Sequence, residues 1–444
     1  MKKISTFILI IYFILSIPTI TYSQNEVLPE FPTLESEYVV LMDADSGEVL
    51  YQNNGDAKCH PASTTKLLTA LIAVENSSMK DIVTYSQAAV KSVGYGDANA
   101  SISVGEELTM EQSLYCLMLR SANDAAYGIA EHVGGNISTF ASMMNEKAAS
   151  FGATGTHFTN PSGLTDEFHY TTPYDMALIG RACFNNKTLM NIISYPKMYT
   201  IGPTNKSKFT RYYTHRYQML KGGNFEYEHS CGGKTGYTDA AGNCLVSFAQ
   251  KGDMRLVCVI MNSSESGRYH DTAKLFDYYF DNYHKVYLDD YDNGISFDSV
   301  DVLKMATSLH SKDSVSLSFG SGAYLLLPNK ADTSSLKSIV TYADSPAYFG
   351  EKGGFACISF YYNQLNVGTL TVFAKTSSTD DIPGINGVAP YTPSGYIDTA
   401  PVTYINLIYI IGGIVGTLLI IGLIILVTRR KHRRFNYASK KLHF

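Results

Sequence analysis

The chain has 444 residues, 45% of them hydrophobic and 17% charged, with a formal net charge of −5 at pH 7. These values exclude a disordered chain and leave room for one large domain or for two to three ordinary ones. The basic residues are scattered except at the extreme C-terminus, so we expect no nucleic acid among the partners.

The N-terminus predicts export. Residues 1–23 join Lys2 and Lys3 to an apolar run that ends in the small-residue site Thr21-Tyr22-Ser23, a pattern typical of a secretory signal peptide. An uncleaved N-terminal anchor is the alternative. We expect a first folded domain to follow over residues 24–284.

Strand patterns lie at both ends of this first domain. Residues 38–53 alternate and are broken by glycine and asparagine, which predicts a two-stranded hairpin. Helical spacing starts after Pro61 and continues to about residue 184. Three strand patterns separated by short breaks follow from residue 229, and a helical pattern, 270–283, closes the domain. This order predicts the α+β class, an antiparallel sheet with a block of helices grouped around it.

The C-terminal part has a different composition. Residues 285–376 contain short strand patterns broken by glycine, asparagine and proline, which predicts a small β-rich domain. Residues 377–402 are polar and rich in proline and glycine, as flexible linkers are. Residues 403–427 carry no charge and are long enough to span a bilayer as a transmembrane helix. The basic tail, 428–444, then predicts a single-pass C-terminal anchor in the cell membrane, with the tail cytoplasmic and the rest of the chain extracytoplasmic.

The tetrad Ser-x-x-Lys occurs four times, beginning at Ser63, Ser77, Ser194 and Ser334. The first lies at a predicted helix start, whereas the others fall in a predicted turn, across a proline and in the β-rich region. Downstream of the first lie Ser121-Ala122-Asn123 and Lys234-Thr235-Gly236, the one Lys-Thr-Gly of the chain. This series favours Ser63 and Lys66 as a catalytic pair.

Each member of the series meets a chemical need. A serine hydroxyl is a poor nucleophile without an adjacent base, and Lys66 lies one helical turn from Ser63 on the same face. A lysine acts as a base only when burial or a neighbouring cation lowers its pKa, and Lys234 is the candidate for that cation. Ser121 is expected to relay a proton to a leaving amine. Asn123 is expected to hold Lys66 and to bind a peptide group.

The Lys-Thr-Gly strand is expected to bind substrate. Lys234 suits a substrate carboxylate, and Gly236 lets an extended peptide approach the strand edge beside Thr235. The backbone N–H groups of Ser63 and Tyr237 are the candidates for an oxyanion hole. We therefore predict that this strand, through Tyr237, forms one side of the substrate site.

On these motifs the sequence resembles the penicillin-binding D-alanyl-D-alanine carboxypeptidases, low-molecular-weight serine enzymes of the S11 type. The resemblance spans about residues 36–283 and is carried by PASTTKLLTA, VGEELTMEQSLYCLMLRSANDAA, THFTNPSGL, YTTPYDMALI and KTGYTDAAG. It implies a serine β-lactamase/DD-peptidase-like domain. The β-rich region resembles the second domain of that family more weakly.

The resemblance implies a serine peptidase that needs no cofactor. Ser63 would attack the carbonyl of the penultimate D-alanine of a peptidoglycan pentapeptide, and Lys66 would take its proton. The terminal D-alanine would leave, its carboxylate bound by Lys234, and water would hydrolyse the acyl-enzyme. β-Lactam antibiotics would acylate Ser63 and be released slowly. Ala122 stands where glycine is commoner in the family.

Several alternatives stay open at the level of sequence. A β-lactamase is one, although Asp166 and Glu167 do not form the Glu-x-x-Leu-Asn pattern of class A enzymes. A non-catalytic protein that binds the wall or senses β-lactams is another. Arg268 is either an additional carboxylate partner or a surface cation. The eleven histidines contain no His-Glu-x-x-His, so we expect no catalytic metal.

Overall fold

The structure, a computed structural model, describes residues 30–94, 96–195, 198–288, 315–319, 322–331, 333–342, 354–363 and 365–376. All of them belong to the first of two units, Met1–Tyr391. The predicted signal peptide, linker, membrane span and basic tail lie outside the described residues. Within the described ranges, no helix is both long and apolar enough to cross a bilayer.

The strands are short to medium in length and pair in antiparallel fashion. In chain order they are β1 Tyr38–Asp43, β2 Val49–Asn53, β3 Ile82–Thr84, β4 Glu107–Thr109, β5 Tyr199–Ile201, β6 Arg211–Tyr213, β7 Ser230–Thr238, β8 Gly242–Lys251, β9 Met254–Ser263, β10 Tyr283–Tyr287, β11 Val315–Phe319, β12 Tyr324–Pro328, β13 Lys337–Tyr342, β14 Gly354–Tyr362 and β15 Leu365–Thr376. The main sheet has the order β2-β1-β9-β8-β7, which confirms the hairpin and the three later strands predicted from the sequence.

Eight α-helices are described, seven of them between β2 and β7. They are α1 Lys66–Asn76, α2 Gln87–Lys91, α3 Met110–Leu119, α4 Asn123–Gly134, α5 Ile137–Ser150, α6 Pro173–Asn185, α7 Lys187–Ile193 and α8 Gly267–Asn282. The sequence begins several of them with caps: Thr109 forms a capping box with Gln112, and Thr172 accepts a hydrogen bond from the Asp175 N–H at 3.0 Å. The predicted α+β arrangement is therefore confirmed for the described residues.

Both faces of the main sheet are covered because its central strands are apolar on both faces. Val40 and Met42 of β1 pack into the core beneath the helical block. Val39 and Leu41 point to the opposite face and pack with the residues of α8. This alternation with a period of two places the sheet between two helical layers. Strand β7 forms one end of this sheet and lies next to the helical block.

The strands beyond α8 form two smaller sheets. One pairs β10 with β12, and the other has the order β11-β15-β14-β13. Leu325, Leu327, Ile358 and Phe360 are buried in a core of their own. Strands are thus present where the sequence predicted a β-rich region, and the first of them begins at Tyr283. The limits of that region as a domain stay a prediction.

Candidate active site

Ser63 lies on a tight turn between the main sheet and the helical block. The segment Ala62–Thr65 forms a 3-10 turn, and α1 begins only at Lys66, so the predicted α-helical start at Ser63 is one turn too early. The Thr64 hydroxyl donates to the Pro61 carbonyl at 2.7 Å and secures the turn. Ser63 is half-buried, and Lys66 directly behind it is completely buried.

The Lys66 amine is held by three oxygen atoms. Its Nζ donates to Ser63 Oγ at 2.8 Å, to Asn123 Oδ1 at 2.7 Å and to the Ser162 carbonyl at 2.5 Å. Asn123 begins α4, and Ser162 lies in a loop almost a hundred residues along the chain. The three contacts fix the amine against the hydroxyl that it is predicted to deprotonate.

Burial lowers the pKa of Lys66 far enough for its amine to act as a base near neutral pH. Desolvation lowers the pKa of Lys66 to about 7; the charge of Asp97 opposes this shift, and the guanidinium of Arg216 adds to it. Sequence reasoning assigned the neighbouring cation to Lys234. Repulsion between the two lysines acts instead on Lys234. The pKa of Lys234 is held well below its usual range, first by burial and second by the charge of Lys66.

A second lysine–serine pair faces the first. Lys234 Nζ donates to Ser121 Oγ at 2.8 Å and to the Thr235 carbonyl at 2.7 Å. Ser121 is buried and has a φ of +60°, a left-handed conformation that only a sharp turn between α3 and α4 imposes on serine. The Asn123 N–H donates to the Ala98 carbonyl at 2.8 Å and holds the end of this turn.

Strand β7 brings its backbone close to Ser63. A Cβ atom on Gly236 would lie 3.0 Å from the Pro61 carbonyl oxygen and 3.1 Å from the Ser63 nitrogen. The Thr235 carbonyl accepts a hydrogen bond from Lys234 Nζ and points away from β8. Because backbone groups alternate in direction along a strand, the Tyr237 N–H lies on the same outer edge of β7 as that carbonyl. The N–H groups of Ser63 and Tyr237 therefore border one narrow gap.

The Ser162 carbonyl belongs to the loop 160–163, to which the sequence alone assigned no chemical role. Asn160 Oδ1 accepts from the Ser162 N–H at 3.1 Å and from the Gly163 N–H at 2.8 Å, which closes the Asn-Pro-Ser-Gly turn. Together with Arg216, Ser162 is a contributor that sequence reasoning missed. The turn composition indicated the loop, but its contact with Lys66 depends on tertiary structure.

Gly163 allows this loop to pack against the turn that carries Ser63. Its φ is +83°, and an added Cβ would lie 1.7 Å from the Ala62 carbonyl oxygen. We expect Gly163→Ala to destabilise the fold by about 3 kcal/mol, because left-handed strain adds to a backbone clash. The midpoint of thermal unfolding should fall by roughly 5–10 °C, and the rate of acylation by penicillin should fall as the Ser162 carbonyl moves.

Gly222 provides the matched control for that experiment. Its φ is +85°, but no atom lies within 4 Å of a Cβ built on it. Gly222→Ala should cost only about 1 kcal/mol, from the left-handed backbone alone. Equal effects of the two substitutions would show that the close approach to Ala62 is unimportant.

Arg268 is not a surface cation, so that alternative from the sequence is wrong. It is buried, and its Nη1 donates to the carbonyl oxygens of Gly236 and Cys244, each at 3.2 Å. Its guanidinium thus connects strands β7 and β8 from the side opposite the helical block.

Within the described residues, no group of three or more His, Cys, Asp or Glu side chains is placed to bind a metal ion.

The eight residues predicted to form the site thus lie together around one gap between β7 and the helical block. They are Ser63, Lys66, Ser121, Asn123, Lys234, Thr235, Gly236 and Tyr237. Their chemical roles stay predictions. The buried lysine, the hydroxyl it contacts and the paired N–H groups have the arrangement that acyl transfer to serine requires.

Comparison with known proteins gives a consistent result. The sequence profile of the D-alanyl-D-alanine carboxypeptidases, Peptidase_S11, matches residues 25–265. The D-alanyl-D-alanine carboxypeptidase DacF of Bacillus subtilis is 33% identical over 261 residues, which cover 57% of this chain and 64% of DacF. DacB2 of Mycobacterium tuberculosis is 36% identical over 251 residues, covering 54% of this chain and 81% of DacB2.

The fold also matches solved structures. The crystal structure of the Streptomyces K15 DD-transpeptidase superposes with a TM-score of 0.52 at 28% sequence identity, covering 57% of this chain and 99% of that one. The likeness is therefore to the part of the chain that carries the gap between β7 and the helical block.

Proposed function

Because the chain belongs to the D-alanyl-D-alanine carboxypeptidase family, we propose that it is a serine-type carboxypeptidase that removes the terminal D-alanine from peptidoglycan pentapeptides. The observation that carries the proposal is the contact of 2.8 Å between Lys66 Nζ and Ser63 Oγ, with the lysine fully buried. The chain spans 64% of the length of the Bacillus subtilis relative, so activity and substrate are proposed for this chain on the geometry of its own site.

Acylation uses the first lysine–serine pair and the two N–H groups. Neutral Lys66 takes the proton of Ser63 Oγ as this oxygen attacks the carbonyl carbon of the penultimate D-alanine. The N–H groups of Ser63 and Tyr237 stabilise the charge that develops on the carbonyl oxygen. The carbon–nitrogen bond then breaks, which leaves an ester on Ser63.

The second pair serves the leaving group. Lys234 binds the carboxylate of the terminal D-alanine and thereby aligns its nitrogen with Ser121. The Ser121 hydroxyl passes its proton to that nitrogen as the bond breaks and takes up in turn the proton that Lys66 removed from Ser63, so free D-alanine departs and Lys66 is neutral again. Asn123, which accepts from Lys66 through Oδ1, has its amide N–H₂ available for the substrate backbone.

Deacylation reverses the proton path. Water attacks the ester carbonyl, Lys66 accepts the water proton, and Ser63 Oγ recovers a proton as the shortened peptide leaves. A β-lactam forms the same ester when its ring amide opens. Its leaving nitrogen stays tethered in the site, which slows the approach of water and makes penicillin a covalent inhibitor.

We further propose that the enzyme works outside the cytoplasm at the cell membrane. Support comes from the sequence patterns of the signal peptide, 1–23, the membrane span, 403–427, and the basic tail, 428–444. The β-rich region, 285–376, and the linker, 377–402, would then separate the catalytic domain from the anchor.

The test uses the full chain in detergent, incubated with a fluorescent penicillin and with an acyl-D-Ala-D-Ala peptide. We expect a stable covalent label and release of free D-alanine. Absence of both would contradict the proposal. Rapid turnover of penicillin without D-alanine release would indicate a β-lactamase. A stable label with neither penicillin turnover nor D-alanine release would indicate a β-lactam sensor.

A further inference from the structure

The hairpin β5–β6 and the residues beside it expose an unusual amount of apolar surface. In this basic-aromatic hairpin, defined as residues 198–213, Phe209 is 80% exposed, Tyr212 60% and Met198 51%. Val104 is 48% exposed, and the Gly105 next to it approaches Lys206 closely. Phe209 lies in the connection between the two strands, Tyr212 lies in β6, and Met198 directly precedes β5. These exposed side chains are called the apolar patch.

The same segment carries a one-sided charge, in contrast to the scattered basic residues expected from the whole chain. Residues 176–225 contain no aspartate or glutamate, although the chain as a whole has a net charge of −5. Their basic residues are Arg181, Lys187, Lys197, Lys206, Lys208, Arg211, Arg216 and Lys221. Lys206 and Lys208 both precede Phe209 in sequence, are exposed, and take part in no ion pair within the described part of the chain.

The protein holds this connection in place. Asn205 accepts from the Glu107 N–H at 3.0 Å and donates to the Gly105 carbonyl at 2.9 Å, and Thr204 donates to Glu106 at 2.7 Å. Arg211 forms an ion pair with Glu106, whose side chain is completely buried. The connection that carries the patch is therefore held in place before it binds, which lowers the cost of ordering its backbone.

We propose that the basic-aromatic hairpin docks on a lipid bilayer that contains anionic lipids. Phe209 and Tyr212 enter the interfacial region, and Lys206 and Lys208 lie against lipid phosphates. Exposed aromatic rings next to lysines have the composition of membrane-interface elements, and each lysine near an anionic surface strengthens binding about five-fold. A soluble polyanion would use the lysines but not the apolar patch.

This inference rests on the proposed extracytoplasmic location and links it to the site. The hairpin runs into Arg216, whose N–H donates to the Leu119 carbonyl at 3.1 Å and whose charge reaches Lys66. Docking would thus hold at the membrane surface a segment that continues into the active site.

The chain contains no tryptophan, which makes Phe209→Trp a unique fluorescent reporter. The full chain with this substitution is reconstituted into vesicles of brominated phosphatidylcholine, with or without brominated phosphatidylglycerol. We expect a blue shift and quenching of the indole emission only in the anionic vesicles. Phe168→Trp is the matched control, because Phe168 is 62% exposed but follows Asp166 and Glu167, and its emission should not change.

The double substitution Lys206→Gln/Lys208→Gln in the Phe209→Trp background should lower the ratio of docked to undocked hairpin about 25-fold. Emission that is equal in both kinds of vesicle, or quenching equal to that of the Phe168→Trp control, would overturn the proposal. A blue shift with soluble poly(glycerol phosphate) and none with vesicles would replace the bilayer by a phosphodiester polymer. Penicillin labelling should be unchanged in all variants, and its absence from the unsubstituted chain would count against the proposed activity only.

Discussion

Ser63→Ala is expected to abolish both labelling by fluorescent penicillin and release of D-alanine. The hydroxyl oxygen forms the ester with either ligand, and no other hydroxyl is hydrogen-bonded to Lys66 Nζ in the described residues. Because the substitution removes a single oxygen atom from a half-buried side chain, the midpoint of thermal unfolding should change little.

The other Ser-x-x-Lys tetrads provide the control. Ser77→Ala alters a tetrad that follows the end of α1, where Ser77 is the helix C-cap, and should leave labelling and D-alanine release intact. Residual label in Ser63→Ala at the level of the unsubstituted chain would show that the nucleophile is another residue.

Lys66→Arg should lower the rate of penicillin acylation by about a thousand-fold, within the usual range for loss of a general base. A guanidinium keeps its proton at any pH the protein tolerates, so it cannot accept the proton of Ser63. The rate is measured by stopping the reaction with fluorescent penicillin at set times and quantifying the labelled protein on a gel. Lys147→Arg, at the surface ion pair with Glu75, is the control and should leave the rate unchanged. Retained activity in Lys66→Arg would contradict the assignment of Lys66 as the base.

The pH dependence of acylation tests the same assignment without mutation. Lys66 acts in its neutral form, and its pKa is lowered to about 7 by burial. Acylation should therefore be slow in acid, rise as the pH passes 7 and level off above it. A rise centred near pH 10, where an ordinary lysine loses its proton, would show that burial does not tune this amine.

The sequence predicted the parts of the site that are spelled out as local motifs. The order of Ser63, Ser121 and Lys234 along the chain, with the strand pattern around Lys234, was enough to predict that these three residues belong to one site. The alternation of β1 and the glycine breaks after residue 229 likewise predicted an antiparallel sheet. Local patterns work here because each motif lies at the end of a regular element.

The remaining parts depend on contacts between distant segments. The Ser162 carbonyl meets Lys66 across 96 positions of sequence, and a backbone oxygen leaves no mark on residue choice beyond the Gly163 that permits its approach. Arg216 acts on Lys66 only because β6 returns to the helical block. Arg268 was ambiguous because its burial is decided by the packing of α8 on the main sheet.

The position of β7 has a consequence for solubility. The last strand of a sheet exposes unpaired backbone groups that invite another chain to add a strand, and proteins commonly block such edges with prolines or charged bulges. Here the turn at Ser63 stands over the edge, close enough to leave a Cβ on Gly236 only 3.0 Å from the Pro61 carbonyl. The turn at Ser63 therefore hinders the addition of a foreign strand at the β7 edge, where the proposed function places the substrate.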